Sequence, residues 1–180
     1  VKGIITATYA DLNKDTYSSM VELAGASADS MLTAVNDVAG GELIKRTLSS
    51  SQLRYMVKNS VIDGATSAQW WGKQSGNLAF RFKNIVQDSI LNGEGTDAIV
   101  RRVRGTKAAG YSDGIMTTAY NNARALVQSS VQATANGARI DMMKENDDVI
   151  EAIEWISTLD SHTTATCRAL DGLKWDFEYK

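Results

Sequence analysis

The sequence predicts a mainly α-helical protein with a C-terminal β-hairpin, an α+β fold in which long helices pack on a small two-stranded lobe. Apolar residues recur at helical spacing through most of residues 4–145, whereas two stretches after residue 150 alternate between apolar and polar side chains. The 180-residue chain contains no proline. This suits long helices, because proline removes a backbone N–H and clashes with the preceding turn. The chain begins at Val1 and stops within a predicted strand, so we expect it to be a piece of a longer protein.

Residues 1–70 are predicted to form a helical N-terminal region. The apolar spacing indicates a helix over residues 4–38, with a break expected near Gly25. A second helical region is predicted over residues 42–61. A serine run should interrupt this region, with Ser51 as the cap of a new helix.

Residues 64–76 are predicted to form a connector around the adjacent tryptophans Trp70 and Trp71. Adjacent side chains cannot share one face of a helix, so at least one indole should anchor another element. Core packing is the favoured role, because tryptophan buries a large area. Ser75 or Asn77 is then expected to cap the helix that follows.

Three helices are predicted between residues 77 and 145. The first spans residues 78–91, the second begins at Gly95-Thr96 with Thr96 as its cap, and the third spans residues 112–145. The third carries a stripe of mostly small residues that should pack in the core, where small side chains permit close approach of another helix. The stripe consists of Met116, Ala119, Tyr120, Ala123, Val127, Val131, Thr134 and Ala138.

The end of the chain, residues 150–180, is predicted to be a β-hairpin lobe. Residues 151–158 alternate in polarity, and residues 173–179 alternate again, so the second strand should be half buried with its charged face in water. The connection includes the polar stretch Asp160–Gly172 and is far longer than the roughly two to five residues of a common hairpin loop. A connection of this length is usually functional or packed as a structured lobe.

Charge is distributed unevenly, although the whole chain carries a net charge of only −2. Residues 91–140 contain six basic and three acidic residues, whereas residues 141–180 contain four basic and ten acidic residues. The first segment includes a basic cluster formed by Arg101, Arg102, Arg104 and Lys107. This cluster is either a solvated face or a contact for DNA phosphates or an acidic partner. No apolar run reaches the roughly 18 residues of a membrane span.

Asp160, His162 and Cys167 have the residue types of a nucleophilic or metal site. Three groups from one loop seldom converge as a triad, and a structural zinc site usually needs four ligands, mostly cysteine or histidine. The chain has one cysteine, no Gly-rich phosphate loop and no nucleophile elbow. We therefore predict no enzyme activity, no cofactor and no metal, with Cys167 and His162 as the weak candidate ligands. A metal-assisted hydrolase or nuclease is the alternative, and a DNA-binding module that uses the basic cluster is a further one.

Two stretches carry a recognisable pattern. Residues 122–139 contain an Ala-Arg start and an Ala-Asn-x-Ala-Arg middle, and residues 155–172 contain Trp, Leu-Asp, Thr, Cys and a Leu-Asp-Gly turn. The positions are Arg124, Asn136, Arg139, Trp155, Leu159, Asp160, Thr163, Cys167, Leu170, Asp171 and Gly172. This pattern resembles the phage Mu F-like head morphogenesis family, the minor head proteins of tailed phages, over roughly residues 75–180. Many members have a second cysteine where this chain has Thr164, so the resemblance does not extend to a metal clip.

The resemblance implies that residues 71–180 form the family's domain and that the protein is a minor structural component of the virion. It implies a position at the portal vertex, inside the head, after assembly in the host cytoplasm. The implied roles are head assembly and DNA packaging or ejection. The implied partners are the portal protein and the major capsid protein, with packaged double-stranded DNA as a further candidate and no membrane. Several copies are expected around the symmetric vertex.

Overall fold

The computed structural model describes residues 1–177, which form six helices and two short antiparallel hairpins. The helices are α1 (Lys2–Ala39), α2 (Ser50–Asn59), α3 (Ser67–Leu91), α4 (Thr96–Arg104), α5 (Ile115–Glu145) and α6 (Ala165–Leu170). The strands are β1 (Val61–Ile62), β2 (Ala65–Thr66), β3 (Ala152–Glu154) and β4 (Lys174–Asp176). The predicted fold class, mainly α with a C-terminal β-hairpin, is confirmed. Residues 178–180 lie outside the described part, and so does the predicted end of the second strand at Tyr179.

Helices α1, α3 and α5 form the body of the molecule around two apolar clusters. In the first cluster Tyr9 of α1 packs with residues of α3 and with Leu126 of α5. In the second cluster Ala28 of α1 packs with Met142 of α5. Early residues of α1 therefore meet early residues of α5 and late residues meet late ones, so these two helices run parallel. The boundary predicted between residues 70 and 71 falls inside α3. Within residues 1–177, none of the helices has both the length and the hydropathy of a membrane-spanning segment.

Small residues set the close approach of α1 and α5 in the second cluster. Ala24 and Ala138 are completely buried, and Thr134 is nearly so. The core role predicted for the stripe on α5 is therefore confirmed for its second half. Gly25 does not break α1, because the helix continues and a side chain at this position would only reach van der Waals contact with Leu53.

The first half of the same stripe agrees with the prediction only in part, because Ala119 and Ala123 pack against the first cluster whereas Met116 and Tyr120 do not. Met116 and Tyr120 were expected in the core, but they are 49% and 66% exposed. The spacing of apolar residues shows which face of α5 is apolar, but it does not show whether a second helix covers that face. Here α1 leaves this part of α5 uncovered on one side, which opens a groove described below.

The predicted second helical region is only partly helical. Residues 42–49 are not helical, and α2 begins at Ser50 with Ser49 as its N-cap rather than Ser51. The Ser49 hydroxyl accepts a bond from the Gln52 N–H, and the Gln52 side chain accepts one from the Ser49 N–H at 2.8 Å. This reciprocal capping box fixes where the helix starts.

Two asparagine side chains hold the non-helical segment in place, Asn36 being partly buried and Asn146 buried. Asn36 donates to the Ile44 carbonyl and accepts from the Ile44 N–H, both at 2.9 Å. Asn146 accepts from the N–H groups of Lys45 and Arg46, and donates to the Arg46 carbonyl at 3.0 Å. These side chains satisfy backbone groups that a helix would otherwise satisfy, which explains why the predicted helix is absent here.

The connector predicted over residues 64–76 is mostly the start of α3. Thr66 caps this helix through a second capping box with Gln69, so the predicted caps Ser75 and Asn77 are wrong. Only the short hairpin of β1 and β2 precedes it. The Thr-x-x-Gln spacing is a recognised start signal that was available in the sequence.

The two adjacent tryptophans have different roles, as their neighbouring positions on one helix predicted. Trp71 is buried in the core, and its ring packs edge-on against the ring of Tyr9 with centroids 5.9 Å apart. Trp70 is only partly buried, and its indole N–H donates to the Ile62 carbonyl at 2.7 Å. One indole is therefore a core residue, as predicted, and the other anchors the small hairpin to α3.

Helix α4 and the loop after it bring the chain from α3 to α5. The N-cap of α4 is Gly95 and not Thr96, and no side chain caps it. The loop closes through Asp113, whose carboxylate accepts from the Thr106 N–H at 2.7 Å and from its hydroxyl at 2.8 Å. These hydrogen bonds lower the pKa of Asp113. The stabilisation is complete above the ordinary carboxyl pKa and is lost as pH falls through the lower folded-state pKa.

The start of α5 at Ile115 is three residues later than the predicted start at residue 112. Gly114 is its N-cap, and a β-carbon at this position would collide with the backbone of Arg104 and Gly105. Residue 114 must therefore be glycine, because the backbone at this position packs directly against the end of α4 just before α5 begins.

The C-terminal hairpin is shorter and more exposed than predicted. Strands β3 and β4 have three residues each, with Ile153 opposite Trp175 and Glu154 opposite Lys174. All three residues of β4 are exposed, so the prediction that the second strand is half buried was wrong. No residue from 147 to 177 is buried, because no second layer covers either face of the two strands.

Candidate functional site

The C-terminal lobe, residues 147–177, follows α5 and contains most of the motif residues identified in the sequence. Its connection to the helices runs through Arg46. The Arg46 guanidinium donates to the Glu145 carbonyl and pairs with Asp148 at 3.0 Å. This ion pair is half exposed, so its contribution to stability is small.

Ser157 lies at the centre of the hydrogen bonds that shape the lobe. Its backbone N–H donates to the Asp171 carboxylate at 2.7 Å, and its side-chain hydroxyl donates to the Cys167 carbonyl at 2.7 Å. The hydroxyl also accepts from the indole N–H of Trp155 at 3.0 Å. The Gly172 N–H donates to the Trp155 carbonyl at 2.8 Å, and Gly172 has a positive φ of 76°. Ser157, which was not singled out in the sequence, therefore joins three motif residues.

The Asp160 carboxylate is occupied by bonds within its own loop. It accepts from the His162 N–H at 2.8 Å and from the Thr163 hydroxyl at 3.1 Å. The Asp160 N–H donates to the Thr163 hydroxyl oxygen at 2.9 Å, which closes a tight turn. Thr164 then caps α6 by accepting from the Cys167 N–H. These bonds account for the residue types at the motif positions 160 and 163 as structural requirements of the lobe.

The three residues whose types could support catalysis or metal binding line one shallow depression. Asp160, His162 and Cys167 border a cavity of about 310 Å³ on the surface of the lobe. Within residues 1–177 no hydrogen bond joins the His162 ring to the thiol or to the carboxylate, and no cluster of three or more His, Cys, Asp or Glu side chains could hold a metal ion. A nucleophilic site needs the base within hydrogen-bond reach of its nucleophile. The structure brings these residues near each other without that geometry.

The basic cluster predicted on α4 is divided between structural and surface roles. Arg102 donates to the buried Ser89 hydroxyl at 3.2 Å and pairs with Asp88 and Glu94 at 3.5 Å. It therefore ties the end of α3 to α4. Its charge is largely neutralised there, so Arg102 is a poor candidate for contact with DNA or a partner.

The other basic residues of this cluster remain on the surface. The Arg104 guanidinium lies 4.5 Å from the centroid of the Tyr111 ring, a cation–π contact that leaves its charge accessible. The side chains of Arg101 and Lys107 are exposed and make no hydrogen bond or ion pair with any other residue in the described range. Three surface cations therefore remain from the four predicted contact residues.

The helical part of the motif lies apart from the lobe. Arg124, Asn136 and Arg139 are exposed on α5. The two arginines are about 22 Å apart at 1.5 Å per residue. The motif positions therefore do not converge on one site: the lobe residues maintain a local structure, and the α5 residues present polar groups along a helix.

An apolar groove at the other end of α5 is the surface feature that the sequence did not reveal. It has a volume of about 840 Å³, with α1 and α5 along its sides and the buried residues Trp71 and Leu78 of α3 between them. Ile4 on α1 and Tyr120 on α5 stand largely exposed at its edges. The Trp71 indole N–H has no acceptor within residues 1–177. The helical spacing of these residues looks like an ordinary core stripe, so sequence alone gives no signal for an open groove.

Replacing Asp171 with alanine is expected to loosen the lobe without unfolding the helices. The Ser157 N–H would lose its acceptor, and no buried residue in the lobe contributes to the helical core. Amide hydrogen exchange of residues 155–172 should accelerate about tenfold or more, the equivalent of roughly 1.4 kcal/mol, while α5 amides remain protected. The matched control is Glu151→Ala, which removes an exposed carboxylate just before β3, and equal exchange in both variants would contradict the structural role of Asp171.

Comparison of the chain with protein-family models, curated proteins and solved structures finds no match. The functional argument therefore rests on the lobe, the surface cations and the groove themselves.

Proposed function

We propose that this chain is a minor structural protein of a tailed-phage head. It sits at the portal vertex inside the head and acts in head assembly and in DNA packaging or ejection. The support is the residue pattern from Trp155 to Gly172, which resembles the phage Mu F-like family. Trp155, Asp160, Thr163, Asp171 and Gly172 of that pattern each take part in the hydrogen bonds that shape the lobe.

The lobe is the proposed docking element for the portal protein or the major capsid protein. Ile156 and Leu159 are exposed on it, at 83% and 58%, next to a loop whose backbone is held by hydrogen bonds. A rigid loop that presents apolar side chains loses little conformational entropy on binding. The proposed role contains no catalytic step, because the carboxylate of Asp160 is engaged in its own turn.

Packaged double-stranded DNA is a further proposed partner, through Arg101, Arg104 and Lys107. These cations lie on one helix and the loop that follows it, and they are exposed. Contacts of this kind neutralise phosphates without reading bases, so the affinity should fall as salt is raised.

The test is incorporation of the protein into particles. Wild-type protein should co-sediment with procapsids or portal and appear in purified virions, whereas Ile156→Asp/Leu159→Asp should be lost from particles because two charges replace the apolar contact. The matched control is Phe80→Asp, since Phe80 is 65% exposed on α3 and does not belong to the lobe. Absence of the wild-type protein from particles would falsify the proposal, and so would normal incorporation of the lobe variant.

A second variant separates this role from the alternative hydrolase. Cys167→Ala/His162→Ala removes both groups that a nucleophilic or metal mechanism would need. Infectivity should remain at the wild-type level if the protein is structural. Particles that assemble normally but lose infectivity in this variant would instead support chemistry in the lobe.

A further inference from the structure

The groove between α1 and α5 is an elongated channel with two helical walls. On α5 the lining residues run from Met116 to Gln128 and recur every three or four positions, so this wall is about 18 Å long at 1.5 Å per residue. Residues 1–16 line the opposite wall with the same spacing. Trp71 and Leu78 of α3 are buried between the two walls. The groove therefore follows the direction of two helices.

The edges of the groove are apolar and exposed. Ile4 and Leu12 on α1, and Met116 and Tyr120 on α5, are each 40–71% exposed. A single exposed apolar side chain needs no explanation, but these four border one continuous apolar surface. Such a surface on a folded protein marks a site of interaction.

The size of the groove distinguishes between the occupants that an apolar surface could take. Its volume is about 840 Å³. Half of an α-helix that is about 10–12 Å wide and about 18 Å long occupies roughly 700–1,000 Å³. A single alkyl chain is far thinner than a helix and would leave most of the groove empty, unlike the close packing of protein interiors. Two copies placed groove to groove would enclose a void, because both surfaces are concave. The dimensions therefore fit a helix that lies with one side in the groove.

Arg124 is the one charged side chain among the described residues that line the groove. It lies one turn after Tyr120 and two turns after Met116, so the three residues share one side of α5. The Arg124 side chain is exposed, and it makes no hydrogen bond or ion pair within residues 1–177. An acidic side chain on the occupant would therefore pair with a cation that has no partner in this chain, and this pair would fix the orientation of the occupant.

We infer that the groove receives an amphipathic helix of a partner protein, of which about 12 residues lie between α1 and α5. The apolar stripe of that helix packs on Trp71 and Leu78, and an acidic side chain beside the stripe pairs with Arg124. Helices that bind in grooves insert side chains at positions i, i+3 or i+4, and i+7. This surface is separate from the lobe, so the inference goes beyond the proposed docking of the lobe and does not depend on it.

The test selects binders from a displayed peptide library, with the whole chain as bait. Each peptide has about 18 residues, which is long enough for a helix to form on binding. Mixed apolar residues occupy positions i, i+3, i+4 and i+7, and the positions beside this stripe are a random choice of Glu, Gln or Lys. Selected peptides are then synthesised, and their affinities are measured by fluorescence anisotropy.

Two variants of the chain disable the apolar surface or a matched surface elsewhere. Ile4→Glu/Tyr120→Glu places two negative charges at the edges of the groove. Phe80→Glu/Ile90→Glu places the same two charges at exposed positions of α3 outside the groove. All four side chains are exposed, so both variants should keep the circular dichroism spectrum and thermal midpoint of the wild type.

A second pair of variants tests the charge. Arg124→Glu reverses the cation of the groove, and Arg139→Glu is its control, because Arg139 is exposed on the same helix outside the groove. The library is selected again on each of these two variants.

We expect the wild-type chain to enrich peptides with Glu beside the apolar stripe. Their affinity for Ile4→Glu/Tyr120→Glu should fall about tenfold or more, because binding would bury charges against apolar surface. Their affinity for Phe80→Glu/Ile90→Glu should not change. Selection on Arg124→Glu should enrich Lys in place of Glu, whereas selection on Arg139→Glu should still enrich Glu.

Three results of the selection overturn the inference: no enriched peptide, peptides that bind Ile4→Glu/Tyr120→Glu as tightly as the wild type, or a preference for Glu that Arg124→Glu leaves unchanged. Sedimentation velocity of the chain alone and titration with palmitate test the other occupants. Self-association that Ile4→Glu/Tyr120→Glu abolishes would assign the groove to a second copy. Palmitate that binds more tightly than every selected peptide, and is lost in the same variant, would assign it to an alkyl chain. Either result overturns the inference too.

Discussion

Replacing Asn146 with alanine is expected to lower the free energy of unfolding by roughly 2–4 kcal/mol, the largest effect of any single polar substitution proposed here. Asn146 is only 2% exposed, and its side chain makes four hydrogen bonds to backbone groups. The alanine variant leaves the N–H groups of Lys45 and Arg46 and the carbonyl of Met142 without these partners. A buried polar group that loses its partner costs more than the bond itself contributes.

Urea denaturation measures this effect as a lower midpoint with an unchanged slope. The matched control is Asn136→Ala, because the Asn136 side chain is exposed on the same helix and makes no hydrogen bond to any other described residue. Alanine has the higher helix propensity, so the control should be neutral or slightly stabilising. Equal midpoints for the two variants would show that the bonds of Asn146 contribute nothing.

Replacing Gly114 with alanine should cost about 1–3 kcal/mol, because it forces extra volume into a tightly packed place. The added β-carbon would overlap the backbone of Arg104 and Gly105, which cannot rotate away as a side chain can. The loop must then move outward, and the hydrogen bonds of Asp113 to Thr106 should weaken with it. Denaturation gives the cost, and the NMR-monitored titration of Asp113 should shift back towards the ordinary carboxyl pKa.

Gly76→Ala is the control for this substitution and is expected to have the opposite sign. Gly76 lies inside α3, and a β-carbon there meets no other atom. Alanine at an open helical position stabilises by roughly 0.5–1 kcal/mol relative to glycine. If Gly114→Ala stabilised the protein to the same extent as Gly76→Ala, the conclusion that the loop at Gly114 packs closely against the end of α4 would be contradicted.

The sequence predicted the long helices well where the signal was local. The end of α1 at Ala39, just before Gly40 and Gly41, and the end of α3 at Leu91 follow from residues within one turn. The predicted helix over residues 42–49 failed because its replacement depends on Asn146, about 100 residues away in the chain. A distant side chain that takes over local backbone bonds leaves no trace in a local pattern.

The same distinction applies to the candidate site. The structured loop between the strands was predicted, since its hydrogen bonds join residues close in sequence, such as Asp160 and Thr163. The neutralisation of Arg102 was not predicted, because its partners Asp88 and Glu94 lie on the neighbouring helix and the turn after it. The exposed hairpin also differs from expectation, since alternation in a strand shows which face is apolar but not what covers it.

The parallel pairing of α1 with α5 has a consequence for how fast the chain folds. Ala28 and Ala138 belong to one cluster but are separated by 110 positions along the chain. Every intervening element must be brought into a single large loop before these residues touch, and the entropy of that closure is lost before the contact is gained. The protein should therefore refold more slowly than helical bundles in which helices adjacent in sequence pack antiparallel, because the contacts in such bundles are local.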